Sequence, residues 1–161
     1  MKRNMARTML VIISVVTLCL SLASVAQAQV IGTCSLQGVA GTWAYTYTGT
    51  LFASPTTEVP VAAVGTFTSD GMGNLGGTQR RSVGGAFAQE RIAGTITLNS
   101  HCVGTLNVNV YHSGQLVRSA VIAVVYDNNR NNLRAMFESL TLPDGTNVPV
   151  VITSEGRRLF Q

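Results

Sequence analysis

The chain has 161 residues and a formal net charge of +4, but three of its 11 basic residues, Lys2, Arg3 and Arg7, crowd the first seven positions. Beyond residue 28 it keeps eight arginines and no lysine against seven acids, a net charge of +1, so the basic pI near 9.3 is set by the amino terminus. Adjacent basic residues there are only Arg80-Arg81 and Arg157-Arg158, too few for a surface that tracks phosphates, and the missing lysine excludes Schiff-base and P-loop lysine chemistry.

The amino terminus reads as a cleavable leader. An apolar run from Met9 to about Val25, broken only by Ser and Thr, ends in Ala26-Gln27-Ala28, the small-x-small pattern that a signal peptidase cuts. The run is short for a membrane span, which needs about 20 residues. Leu18 before Cys19 and Thr33 before Cys34 do not match lipoprotein processing, which requires a small residue ahead of the modified cysteine. The expected organisation is a signal peptide over 1–28, a short segment over 29–40 and one domain over 41–161, secreted or periplasmic and free of the membrane after cleavage. Cys34 and Cys102 then remain as a pair, and in an oxidising compartment they are expected to form one disulfide that tethers 29–40 to the domain. Closing that loop of 69 residues constrains the unfolded chain by roughly 4 kcal/mol in the loop-entropy picture.

After Gly41 apolar residues recur with period two, and no helix is expected. Eight strands separate at turn signals. The first covers Thr42–Phe52, with Trp43, Tyr45, Tyr47 and Leu51 alternating against threonines. Pro55 and Pro60 flank the passage to Val61–Ser69; Asp70-Gly71-Met72-Gly73-Asn74 turns into Leu75–Ser82, and Gly84-Gly85 into Phe87–Leu98. Asn99–Cys102 leads to Val103–Tyr111, His112-Ser113-Gly114 to Gln115–Tyr126, and the polar tip Asp127–Asn132 to Leu133–Leu142. Pro143-Asp144-Gly145 precedes the last strand, Val148–Ser154.

Connections this short pair sequence neighbours antiparallel. A row of hairpins leaves two exposed edges unless first and last strands meet, so an all-β, eight-stranded antiparallel up-and-down barrel is favoured over an open β-sandwich. Such a barrel is either packed with side chains or wide enough for one small ligand. Gly65-Thr-Phe-Thr, Gly94-Thr-Ile-Thr and Gly104-Thr-Leu-Asn place glycines inside strands, where barrels bend or backbones approach closely. The runs Gly41-Thr-Trp-Ala-Tyr-Thr-Tyr, Ala63-Val-Gly-Thr-Phe-Thr-Ser-Asp-Gly-Met-Gly-Asn and Gly94-Thr-Ile-Thr-Leu-Asn-Ser-His-Cys-Val-Gly-Thr resemble secreted bacterial β-barrel proteins of uncharacterised function. Their arrangement is similar to calycin and allene-oxide-cyclase-like barrels. The resemblance implies a barrel and carries over no catalytic residue.

Motifs that suggest chemistry mostly dissolve in context. Gly71-Met-Gly-Asn-Leu-Gly matches the dinucleotide fingerprint in letters but opens a strand, where the fingerprint needs a helix. His101 and His112, the only histidines, fall in turns with no visible nucleophile or orienting acid, and Asp127–Asn132 offers one carboxylate with an arginine at its centre. No catalytic residue, cofactor or metal site is assigned.

Charged residues in phase with apolar faces say more. Glu90 shares parity with Ile92, Ile96 and Leu98; Gln79 and Arg81 with Leu75 and Val83; Arg118 with Leu116, Ile122 and Val124. With Gly84-Gly85 as a two-residue turn, Gln79 faces Glu90 and Arg81 is its diagonal neighbour. The set either sits solvated at the barrel mouth or enters the lumen, and Tyr45, Tyr47, Arg81, Glu90 and Arg118 form the candidate ligand site. Three functions are compatible with it: binding of a small apolar or amphipathic molecule, cyclase-like shaping of a reactive substrate, and a surface or matrix role without ligand. Intact mass of the exported protein tests the leader: the expected chain starts at Gln29, and a species retaining Cys19 contradicts it.

Overall fold

A computed structural model of the chain describes residues 34–127 and 129–160; the leader expected over 1–28, its cleavage site and residues 29–33 lie outside the described residues. One helical turn, α1 (Leu36–Val39), precedes eight strands: β1 (Gly41–Ser54), β2 (Thr57–Ser69), β3 (Asn74–Val83), β4 (Ala86–Leu98), β5 (Val103–His112), β6 (Gln115–Asp127), β7 (Asn132–Thr141) and β8 (Val150–Arg158). Each strand pairs antiparallel with the next, and β8 returns to pair with β1 from Trp43↔Arg158 to Leu51↔Val150. The sheet is thus a closed up-and-down barrel and not an open sandwich.

Closure gives every strand an inner and an outer face. Trp43, Val61, Phe67, Leu75, Ile92, Ile96, Leu106, Val124, Leu133 and Ile152 point inward and are buried, while Thr46, Thr66, Thr78, Gln89, Thr95 and Arg134 face solvent. Several strands bring an inward glycine where the wall coils most tightly. A Cβ on Gly94 would stand 1.9 Å from the carbonyl oxygen of Asn107 on β5, so the two backbones approach as closely as they do only because no side chain intervenes. Gly65 lies opposite Tyr45, whose ring packs over it and occupies the space a Cβ would take.

Turn chemistry explains the hairpins. Gly84 and Gly85 both have positive φ (54° and 88°), which a two-residue turn matching strand twist requires, and the flanking pair is Val83↔Ala86. At the β2–β3 turn the Asp70 carboxylate accepts from the Met72 and Asn74 amides at 2.9 and 2.8 Å and from Asn74 Nδ2 at 2.7 Å. The glycine-rich run there is a hairpin, with no helix for a pyrophosphate to meet.

The structure departs from the sequence expectation in four places. The second strand starts at Thr57 and not at Val61, so Pro60 lies inside it, opposite Thr50 of β1. The last strand starts at Val150 and runs to Arg158, because closure supplies β1 as a partner for Gly156, Arg157 and Arg158. Leu116 does not share the inward face of Arg118: an extra residue at Val117 breaks the β5–β6 register, so Tyr111 opposes Leu116 while Val110 opposes Arg118. Leu116 is 39% exposed as a result. And a helix forms where none was expected. Ser35 caps α1 by accepting from the Gly38 amide at 3.1 Å.

That single turn closes one end of the barrel. Val39 is buried, and its carbonyl accepts from Trp43 Nε1 (3.0 Å) and Ser69 Oγ (3.2 Å). Arg158 donates to the Gly38 carbonyl at 2.6 Å and lies over the Trp43 ring at 5.2 Å. Trp43 also meets Phe67 and Tyr126, the latter edge-on at 5.2 Å, and has no exposed surface. The disulfide between Cys34 and Cys102 ties the segment before α1 to the β4–β5 turn, with a Cα separation of 5.0 Å. Replacing both cysteines by serine is expected to cost about 2–5 kcal/mol in denaturant unfolding and to accelerate exchange of the Trp43 indole proton, which α1 covers. Unchanged stability would show that the bridge adds nothing to the cork.

Candidate functional site

Midway along the barrel the inward parity delivers polar side chains to an apolar interior. β1 brings Tyr45 and Tyr47, β3 brings Gln79 and Arg81, β4 brings Glu90 and β6 brings Arg118. The register places Gln79 opposite Glu90, and Arg81 one inward step further along β3. All five candidate residues therefore meet inside the barrel, and the solvated-mouth alternative does not describe Glu90, which is 3% exposed.

Glu90 is the centre. Arg118 grips it with both terminal nitrogens, at 2.8 and 2.6 Å, one to each carboxylate oxygen. Arg81 Nε donates to Oε1 at 2.9 Å and Gln79 Nε2 to Oε2 at 2.7 Å. The Gln79 carbonyl in turn accepts from the Tyr45 hydroxyl at 2.7 Å, and its amide stands 3.5 Å from the Tyr47 hydroxyl. Burial pushes the Glu90 carboxyl upward, but the hydrogen bonds from Arg118, Gln79 and Arg81 and the Arg118 charge outweigh it and hold it down to about 2. Burial likewise opposes the charge on Arg118, and its bonds to Glu90 more than restore it. Both tyrosines are pushed up, chiefly by burial, and stay protonated.

The network spans the lumen as a septum between two chambers. The inner one is walled by Phe67, Leu75, Ile92, Leu106, Ile122 and their neighbours and leaves about 60 Å³ open to water-sized bodies. The outer one, towards the mouth, is walled by Leu51, Val61, Val83, Leu140 and Ile152 and leaves about 260 Å³. Tyr47, Arg118 and Phe137 line both, whereas Arg81 faces only the outer chamber. Gln79, read from the sequence as the partner of Glu90, belongs to the site as fully as the five candidates. Phe137 and Ser154 were not singled out there, although Phe137 shares parity with Leu133 and Ser154 with Ile152. His101 and His112 lie outside, exposed, and among the described residues no cluster of His, Cys, Asp or Glu could hold a metal.

Such a carboxylate makes stability depend on pH in one direction. Its folded pKa of about 2 lies below the ordinary 4.5, so Glu90 stabilises the fold fully above pH 4.5 and loses that contribution as pH falls towards 2. The shift corresponds to about 3 kcal/mol. Glu90→Gln keeps the shape, leaves two arginines without their counter-charge, and is expected to cost about 3–5 kcal/mol in urea unfolding at neutral pH while flattening the acid limb. A loss under about 0.5 kcal/mol, the range of ordinary surface changes, would contradict a desolvated network.

No protein-family model matches the chain, and no curated protein is detectably similar to it in sequence, so the site rests on its own geometry.

Proposed function

We propose that the chain is an exported barrel of calycin-like arrangement that binds a small apolar or amphipathic molecule in its lumen. The observation that carries this reading is an interior with two apolar chambers on either side of a fixed polar septum. The small side chains Ala120 and Ala135 leave space that larger residues would occupy, which weighs against a purely structural barrel. The disulfide fits an extracellular or periplasmic protein.

The same geometry disfavours acid–base chemistry. Glu90 accepts from three side chains and is held near 2, which makes it a poor base, and the tyrosines are held protonated by burial. Binding needs no such group. It needs shape and a few directed donors.

Octanol and octanoate are suitable trial occupants, followed by calorimetry and by the methyl resonances of Leu51, Val61 and Ile152, which line the outer chamber. At least one of them is expected to bind and to shift those methyls selectively. Val83→Phe narrows the outer chamber and is expected to weaken binding about tenfold, a change of about 1.4 kcal/mol, with the fold intact. Binding of neither, or shifts confined to outward methyls, would overturn the reading.

A further inference from the structure

The septum contains two guanidinium groups and one carboxylate, a formal surplus of one positive charge in a largely desolvated place. Arg118 is committed to Glu90 through both terminal nitrogens. Arg81 is not. It spends Nε on Glu90, and its two terminal nitrogens make no hydrogen bond with any described residue. They lie at the outer chamber, with 21% of the side chain exposed. Tyr47, which lines the same chamber, is approached by the Gln79 amide at its oxygen, and its own proton has no acceptor among the described residues.

Unused charged donors against apolar walls define a ligand by its chemistry. The Arg81 guanidinium is paired with Glu90 through Nε alone, and an anion that brings two oxygens to the edge formed by its terminal nitrogens adds two parallel charge-assisted bonds. The walls that surround this edge, Leu51, Val83, Phe137 and Ile152, offer nothing to a hydrated inorganic ion and much to a hydrocarbon. We propose that the outer chamber binds a small organic carboxylate, its head at the terminal nitrogens of Arg81 and the Tyr47 hydroxyl and its hydrocarbon body against those walls. The inference rests on the lumen-binding reading and deepens it by fixing the charge and orientation of the ligand: head at the septum, body towards the mouth.

The test compares octanoate, octanol and acetate by calorimetry at neutral pH on the disulfide-bonded protein. Octanoate is expected to bind at least about tenfold more tightly than octanol or acetate, a margin of about 1.4 kcal/mol or more. Arg81→Gln is expected to collapse the preference for octanoate over octanol towards one. Arg81→Lys, which keeps the charge but loses the fork, should retain part of it. Circular dichroism and the Trp43 indole resonance report whether each variant is folded. Should Arg81→Gln not fold, the wild-type ratios and the Lys variant still decide the matter. Octanol binding as tightly as octanoate, or a preference that survives Arg81→Gln, would overturn the anion inference and leave the lumen reading standing. Acetate matching octanoate would overturn the hydrocarbon part. Failure of both eight-carbon probes would overturn the lumen reading itself.

Discussion

Pairing of β8 with β1 is the constraint from which the interior follows. Nine consecutive Cα pairs, from Trp43↔Arg158 to Leu51↔Val150, convert a row of hairpins into a tube. In an open sheet the two faces of a strand can exchange roles at modest cost. In a tube they cannot, because one face is enclosed by the other strands. Once closure is made, residues 79 and 81 on β3, 90 on β4 and 118 on β6 have no route to bulk water except along the lumen, and their charges must be satisfied by one another.

They are satisfied unevenly. Glu90 receives donors from β3 and from β6, so a single carboxylate links strands that are not neighbours across the interior of the barrel. Charge inside a protein seldom adds net stability over a well-packed apolar core of the same volume. What such a network supplies is a fixed arrangement of donors, held by directional bonds around one buried carboxylate. The surplus cation is the asymmetric part of that arrangement. It faces the open chamber and not the closed one.

Much of this was legible in the sequence because the governing rules are local. Two glycines between Val83 and Ala86 set a two-residue turn, and that turn alone determines that Gln79 opposes Glu90. Period-two parity then put both on the same face as Ile92 and Leu75. What was not legible depended on contacts distant in the chain. The extra residue at Val117 that turns Leu116 outward is a property of the β5–β6 pairing, and Glu138 interrupts the β6–β7 register in the same way. The extension of β8 through Arg158 exists only because β1, more than a hundred residues earlier, lies alongside. The helical turn at Leu36–Val39 is too short to show periodicity and is held by Trp43, Ser69 and Arg158. The space in the lumen could not be read from parity at all, since parity tells which side chains point inward and not how much room they leave.

The cork at the Trp43 end has a consequence for traffic. With α1 seated on the indole and fastened through Cys34 and Cys102, the described residues form a well capped at the Trp43 end, and the septum subdivides it further. A capped well has no through-current: whatever occupies it must retreat by the path it arrived on, and the innermost molecule is always the last to leave. Departure then runs past Leu142 and Val148, which line the chamber on the mouth side, and its rate reflects that passage together with the grip of the walls.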